Sequence, residues 1–362
     1  MHDLIVIGGG PAGTAAAITA ARGGAKVLLL ERGKFPRHKV CGEFVSPESL
    51  GFLAQLLRPQ DADILRSAVP ISRARIFLDH RILESPVEPA AASVARFDLD
   101  AALWASAEQD GVEAWQPVAV QGIGGTGPFT VTARDQDLAA RAVVNASGRW
   151  SNLSSAPPPN GGAKWIGIKG HFSEAAPPAS VDLYFFDGGY CGVQPVDLRA
   201  DSGHSRVNAC AMVRAEVAST LTEVFAQHPA LYERSRHWQP LSDPVATSPL
   251  FFRKPQPEQD GVLQVGDAAG FVDPFVGDGI SLALRSGALA ASCLLPFLTG
   301  RTGLREAAWQ YRQAYERQLA PVFRMSSRIR RMLTLPRAVR VPILSALEHA
   351  PAMTRYLVRK TR

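Results

Sequence analysis

Asp3-Leu4-Ile5-Val6-Ile7-Gly8-Gly9-Gly10-Pro11-Ala12-Gly13 is the stretch that decides the fold. Residues 3–7 end in a continuous apolar run, the pattern of a parallel strand buried on both faces. Gly8, Gly10 and Gly13 follow with GxGxxG spacing. Gly8 permits a tight turn, Gly10 lets the backbone approach a diphosphate, and Gly13 lets helix and strand pack closely. Pro11 and Ala12 open a small-residue helix over 11–23, which Gly23-Gly24 ends. A second strand over 26–31 finishes on Glu31, placed to accept the hydroxyls of an adenosine ribose, with Arg32 beside it. Strand, helix and strand thus fit into about 30 residues, as a dinucleotide fold requires. The amides and positive dipole end of that helix suit the phosphates.

A second constellation lies far along the chain. A buried strand over 262–266 delivers Gly266-Asp267-Ala268-Ala269-Gly270, and Pro274-Phe275-Val276-Gly277-Asp278-Gly279-Ile280 follows. Asp267 sits where open α/β sheets bind ligands, at the carboxyl end of a strand. It is the natural acceptor for a ribityl hydroxyl. Pro274, Gly277, Gly279 and Ile280 form a glycine-rich loop that opens a helix over 277–298. The dipole of that helix suits negative charge on a reduced flavin. Together the two halves predict FAD as the cofactor.

Between them the pattern is mixed. Helices are expected over 47–57 and 97–109, a hairpin over 73–84, and strands over 117–133 and 141–146. The loop 156–162 marks a crossing between domains. Alternating segments over 164–215 read as antiparallel strands, a helix follows over 215–227, and further helices cover 303–333. The expected class is α/β. A Rossmann-like FAD-binding domain (1–72, 95–158 and 251–300) carries an inserted, mainly antiparallel β substrate domain (73–94 and 159–250). A helical basic segment, 301–362, ends the chain.

Composition is globular, with 46% apolar and 20% charged residues among 362. The four cysteines are scattered without metal-ligand spacing, so neither a metal site nor a disulfide framework is expected. No secretory signal is legible, and the most apolar run, 280–298, contains Arg285; a cytoplasmic protein is expected. From Thr299 onward there are 14 Lys/Arg against 3 Asp/Glu, whereas the rest of the chain is net acidic. Residues 324–340 interleave arginines with apolar side chains. Such a segment reads either as a peripheral membrane contact or as a solvated helix packed on the body. Nucleic acid is not an expected partner, since the body is acidic and no nucleic-acid module is present.

With Arg37-His38-Lys39-Val40-Cys41-Gly42 between them, the two halves resemble the flavoprotein superfamily of p-hydroxybenzoate hydroxylase and the geranylgeranyl reductases. The resemblance covers roughly residues 1–300. It implies that Arg96 reaches the FAD backbone and that a residue near Val118 touches adenine through its main chain. It also implies that Gly148, in Val144-Asn145-Ala146-Ser147-Gly148-Arg149, lies where the chain returns to the diphosphate. Hydroxylases carry an Asp-Gly pair there for FAD and NADPH. Ala146-Ser147-Gly148 weakens direct NADPH binding, so electrons are expected from a transiently docked NAD(P)H or from a separate flavin reductase.

Lys39, Cys41 and Gly42 are similar to the KxCG segment that lies beside the isoalloxazine in geranylgeranyl reductases. Cys41 shapes the flavin face, meets substrate, or fills a gap as a small buried thiol. Those reductases carry YxWxFP over the substrate channel. Here the segment is Tyr190-Cys191-Gly192-Val193-Gln194-Pro195, where Tyr190 and Pro195 match and Gly192 opens space for a ring. Tyr190 lines the pocket or packs within a sheet. Cys41 and Tyr190 are the candidate catalytic residues, and the substrate is a hydrophobic small molecule. WxWxIP, a halogenase pattern, is absent. The favoured reading is a flavin monooxygenase working through a C4a-hydroperoxide. An ene-reductase passing hydride from flavin N5 to a C=C bond is the alternative, and a non-catalytic flavin-binding module the third. His171, His204 and His237 are isolated, and a structural or exposed role is expected for each.

Overall fold

In the computed structural model two sheets share the chain, and residues 1–79, 81–149, 153, 164–198 and 205–333 are described. The loop 156–162, His204 and the basic residues beyond 333 lie outside them.

The first sheet is built on His2–Ile7. Val27–Leu30 and then Glu113–Trp115 lie to one side of it in parallel, and Gln136–Asn145 and then Val262–Gln264 to the other. The chain therefore reverses its direction of strand addition between His2–Ile7 and Gln136–Asn145. A crevice opens at the carboxyl ends of such a pair, and ligands bind there. Leu4 and Val6 enter one core cluster and Ile5 and Ile7 the opposite one, so the strand is buried on both faces. That is the physical content of its unbroken apolar run.

Helices Pro11–Arg22 and Gly279–Leu298 pack on one face of this sheet. Their contact is very close: a Cβ built at Gly287 would lie 2.0 Å from the Ala12 carbonyl oxygen. Ala12, Ala15 and Ala16 keep the facing surface of the first helix equally small. Gly279–Leu298 is long and apolar enough to cross a membrane. Here Leu284, Ala290, Ala291 and Leu294 are fully buried in the first core. Leu304–Gln318 packs beyond it, with the Tyr311 hydroxyl donating to the Gln264 carbonyl at 2.8 Å.

The second sheet is mainly antiparallel. Trp165–Glu174, Ser205–Arg214, Gly189–Asp197 and Ser180–Phe186 lie side by side. Ser180–Phe186 then pairs in parallel with Val69–Leu78, the first arm of a long hairpin whose second arm is Arg81–Ser93. This hairpin is far longer than the expected 73–84. The short strand Phe44–Val45 adds to its edge.

Several boundaries move. The strands within 117–133 are Val120–Gly124 and Phe129–Ala133, the strand expected over 141–146 is Gln136–Asn145, and the helices over 303–333 are Leu304–Gln318 and Ala320–Leu333. The helix expected over 215–227 is only Leu221–Ala226, started by a Thr220–Glu223 capping box. That reciprocal cap satisfies two orphan amides and sets the start. A further helix, Pro229–Ser235, follows it.

Candidate active site

The two sheets enclose a cavity of about 1020 Å³. That is at the top of the range for small-molecule and cofactor sites. The residues read above as flavin-binding or catalytic candidates all line it except Gly13, which lies just beneath its floor. Gly13 is a packing position: a Cβ there would lie 1.7 Å from the Gly8 carbonyl oxygen. Gly8 has φ +107°, and its own Cβ would lie 2.3 Å from the Ala146 carbonyl oxygen. The turn after the first strand and the end of Gln136–Asn145 thus touch backbone to backbone.

Glu31 is buried at the end of the second strand. Its Oε1 accepts from the Gly33 amide (2.8 Å) and from Arg37 (2.6 Å), and its Oε2 accepts from the Gly9 amide (2.8 Å). A carboxylate offers about four acceptor positions, so Oε2 keeps one for a ribose hydroxyl. Val118 lines the same cavity. Its N–H donates to the Glu31 carbonyl at 2.7 Å and is therefore engaged within the protein. Arg96 is the first residue of helix Arg96–Gln109, and Asp100 one turn on grips it with two 2.7 Å hydrogen bonds. Burial works against the Arg96 charge, and Asp100 outweighs it, so the guanidinium stays protonated.

Arg37, Lys39 and Arg96 all border the cavity. Burial, then Arg96 and Arg37, lower Lys39 to about 8. Three crowded cations fit a site for a bound anion such as a diphosphate. At the far end Asp267 is partly exposed and 3.7 Å from Arg149, whose guanidinium stacks on Phe271 at 4.1 Å. Helix Gly279–Leu298 starts without a side-chain cap, and its first amides open onto the cavity. Among the described residues, no atom beyond the chain neighbours lies within 4 Å of a Cβ built at Gly42, Gly148 or Gly279. The residues present therefore fit a dinucleotide flavin: glycine floors, a cation cluster, an acceptor at each sugar position and an uncapped helix end.

A model of FAD dependent oxidoreductases matches residues 3–36. This chain is an FAD-dependent oxidoreductase. The enzyme is 26% identical over 384 residues to a menaquinone reductase of Mycolicibacterium smegmatis, covering 97% of this chain and 89% of that one. It is 29% identical over 312 residues to digeranylgeranylglycerophospholipid reductase 2 of Methanopyrus kandleri, covering 80% and 75%. Among solved structures, the flavin-dependent brominase Bmp2 superposes with a TM-score of 0.82 at 18% identity, over 99% of this chain and 93% of that one. At that identity the likeness concerns the fold.

Beyond the flavin elements the cavity of the oxidoreductase becomes apolar. Its walls are the hairpin (Ile76, Leu83), the antiparallel strands (Leu183, Phe185) and, from the last described helix, Ile329 and Met332. Gly192 faces this space, and a Cβ there would meet Leu183 at 3.3 Å. Tyr190 is buried between Phe185 (5.3 Å between ring centroids) and Phe275 (6.0 Å). Its hydroxyl donates to Asp273 Oδ1 at 3.3 Å.

Two features escaped the sequence reading. One is Asp273 itself. The other is a buried ionic cluster behind Cys41 and Gly42. Glu43, 0% exposed, takes Lys169 on Oε1 and His171 on Oε2 (2.8 Å), and its Oε1 also accepts from the Arg96 amide (2.8 Å). Burial opposes the Glu43 charge, but His171 and Lys169 overcome it and hold the carboxylate near a pKa of about 2. His171 is thus no isolated histidine, whereas His237 is exposed. Asn208 fixes the same loop by donating to the Cys41 carbonyl at 3.0 Å.

Lys39 gives a first prediction. Lys39→Gln should weaken FAD binding by about tenfold, or about 1.4 kcal/mol. The difference should shrink as salt screens the charge. In the wild type, binding should weaken as pH rises above about 8, because the free protein then loses the Lys39 proton. Flavin fluorescence titrations across salt and pH check both.

Proposed function

We propose that this oxidoreductase reduces a carbon–carbon double bond of a hydrophobic small molecule. The observation that carries the reading is Tyr190, which lines the cavity beside the apolar wall and whose hydroxyl is bonded to buried Asp273. Saturating a double bond needs a hydride and a proton, and this wall offers the proton source. Curated relatives named as reductases, spanning 80% or more of the chain, support the same choice. The balance therefore moves from the hydroxylase favoured by sequence to the ene-reductase.

Bound FAD, once reduced, supplies the hydride. The protein's part is positioning, exclusion of water and charge placement. The amides of Gly279 and Ile280 at the uncapped helix end favour negative charge on the reduced ring. Cys41 and Gly42 border the cavity beside Arg96, on a loop held by Asn208 and Glu43. Gly192 leaves width for a ring. Electrons come from docked NAD(P)H or a separate flavin reductase. The basic C-terminal segment serves peripheral membrane contact in an otherwise cytoplasmic protein.

An anaerobic mixing experiment tests the reaction. Photoreduced enzyme should be reoxidised by a hydrophobic alkene without oxygen, at a rate that saturates with alkene. Reoxidation only on adding oxygen, with an oxygenated product, would establish the hydroxylase instead.

A further inference from the structure

We propose that Tyr190 and Asp273 form a two-step proton relay, and that the double bond they serve is conjugated to a carbonyl group. This rests on the ene-reductase reading and deepens it. Asp273 is 3% exposed. One of its oxygens meets the Tyr190 hydroxyl at 3.3 Å and the Phe275 amide at 3.5 Å, while Oδ2 has no hydrogen-bond partner among the described residues. A buried carboxylate oxygen without a partner is costly, whereas a carboxylic acid relieves that cost. Tyr190 borders the substrate cavity, and Asp273 stands behind it. The arrangement is a proton donor with a proton reserve.

Charges around the pair agree. Arg330 from the last described helix favours ionised Asp273, as do the Phe275 amide and the Tyr190 hydroxyl. Burial outweighs all three and raises Asp273 to about 7. Burial, then Asp273 and Cys210, push Tyr190 well above the ordinary phenol range. Both groups are therefore weak acids. Neither protonates an isolated alkene, which demands a far stronger acid. An enolate is basic enough to take a proton from a phenol.

The electron count follows. The β carbon would receive a hydride from bound reduced FAD, which would be oxidised by two electrons. The π pair moves onto the carbonyl oxygen. The Tyr190 O–H bond breaks as the α C–H bond forms. Asp273 returns a proton to the phenolate, and solvent reprotonates Asp273 after product leaves.

The test uses the FAD-loaded enzyme, photoreduced without oxygen and mixed with carvone or with limonene, which has the same skeleton but no carbonyl. Carvone should reoxidise the flavin and limonene should not. Tyr190→Phe should slow reoxidation about 100-fold, within the usual span for a lost general acid. Asp273→Asn should slow it about tenfold and remove the fall in rate that wild type shows as pH rises through about 7. Equal rates with both alkenes overturn the substrate class. Wild-type rates and pH profiles in both variants overturn the relay and leave the reductase reading standing. If neither alkene reoxidises the flavin, the reductase reading fails and the enone with it. Infrared difference spectra then judge the pair alone. A protonated carboxyl band titrating near 7, absent in Asp273→Asn and shifted in Tyr190→Phe, supports proton coupling, and its absence overturns it.

Discussion

Glu43→Ala is expected to destabilise the protein by about 3–5 kcal/mol, the usual cost of stranding the partner of a buried ion pair. Lys169 and His171 are 1% and 2% exposed, and removing Glu43 leaves them facing each other with no anion between. The Arg96 amide loses an acceptor as well. Glu43 itself holds φ +62°, and its carbonyl accepts from the Val94 amide at 3.0 Å. The damage should therefore spread to the Cys41–Gly42 loop and lower FAD content. Glu43→Gln should lose nearly as much, since it keeps the shape but not the charge. Adding Lys169→Met to Glu43→Gln should recover part of the loss, because the two sites are directly coupled. The pH dependence has a definite sign. The folded-state pKa of Glu43, about 2, lies below its ordinary 4.5. Its stabilisation is thus complete above about 4.5 and is lost as pH falls toward 2. Denaturant midpoints across pH check this. An unchanged midpoint in Glu43→Ala would remove the cluster from the account of stability.

Gly13→Ala is expected to give a protein that retains less than about a tenth of the wild-type FAD. The added Cβ would sit 1.7 Å from the Gly8 carbonyl oxygen, a backbone atom that cannot rotate away. Either the helix Pro11–Arg22 moves or the turn at Gly8 opens, and both disturb the floor under the diphosphate. Overpacking of this kind costs about 1–3 kcal/mol in stability. Gly51 gives the matched control. It lies within helix Pro47–Leu56, and among the described residues no atom beyond the helix's own neighbouring backbone lies within 4 Å of its Cβ position. Gly51→Ala should stabilise by up to about 1 kcal/mol, the helix-propensity difference, with full FAD content. The flavin-to-protein absorbance ratio reads the first effect and thermal melts the second. A yellow Gly13→Ala protein would show that the turn yields.

The reach of the sequence followed the distance over which each feature is built. Residues 3–31 and 266–280 are contiguous runs whose glycines, strand and helix form from neighbours, so their place at one cavity was readable. The Arg96–Asp100 clamp was equally readable at i, i+4 on a helix, yet the resemblance drew attention to Arg96 alone. Strand ends were misjudged where pairing, not propensity, sets the length. Arg81–Ser93 runs on because Val69–Leu78 and Phe44–Val45 pair with it.

By itself the sequence determined the dinucleotide turn, the flavin cofactor and the α/β class, because each rests on backbone geometry that short glycine-rich stretches dictate. Only the tertiary structure decided which polar groups meet. Glu43 finds Lys169 across 126 positions, and Tyr190 finds Asp273 across 83. Such encounters depend on how two sheets close over one cavity, and burial then decides which of those groups keep a proton.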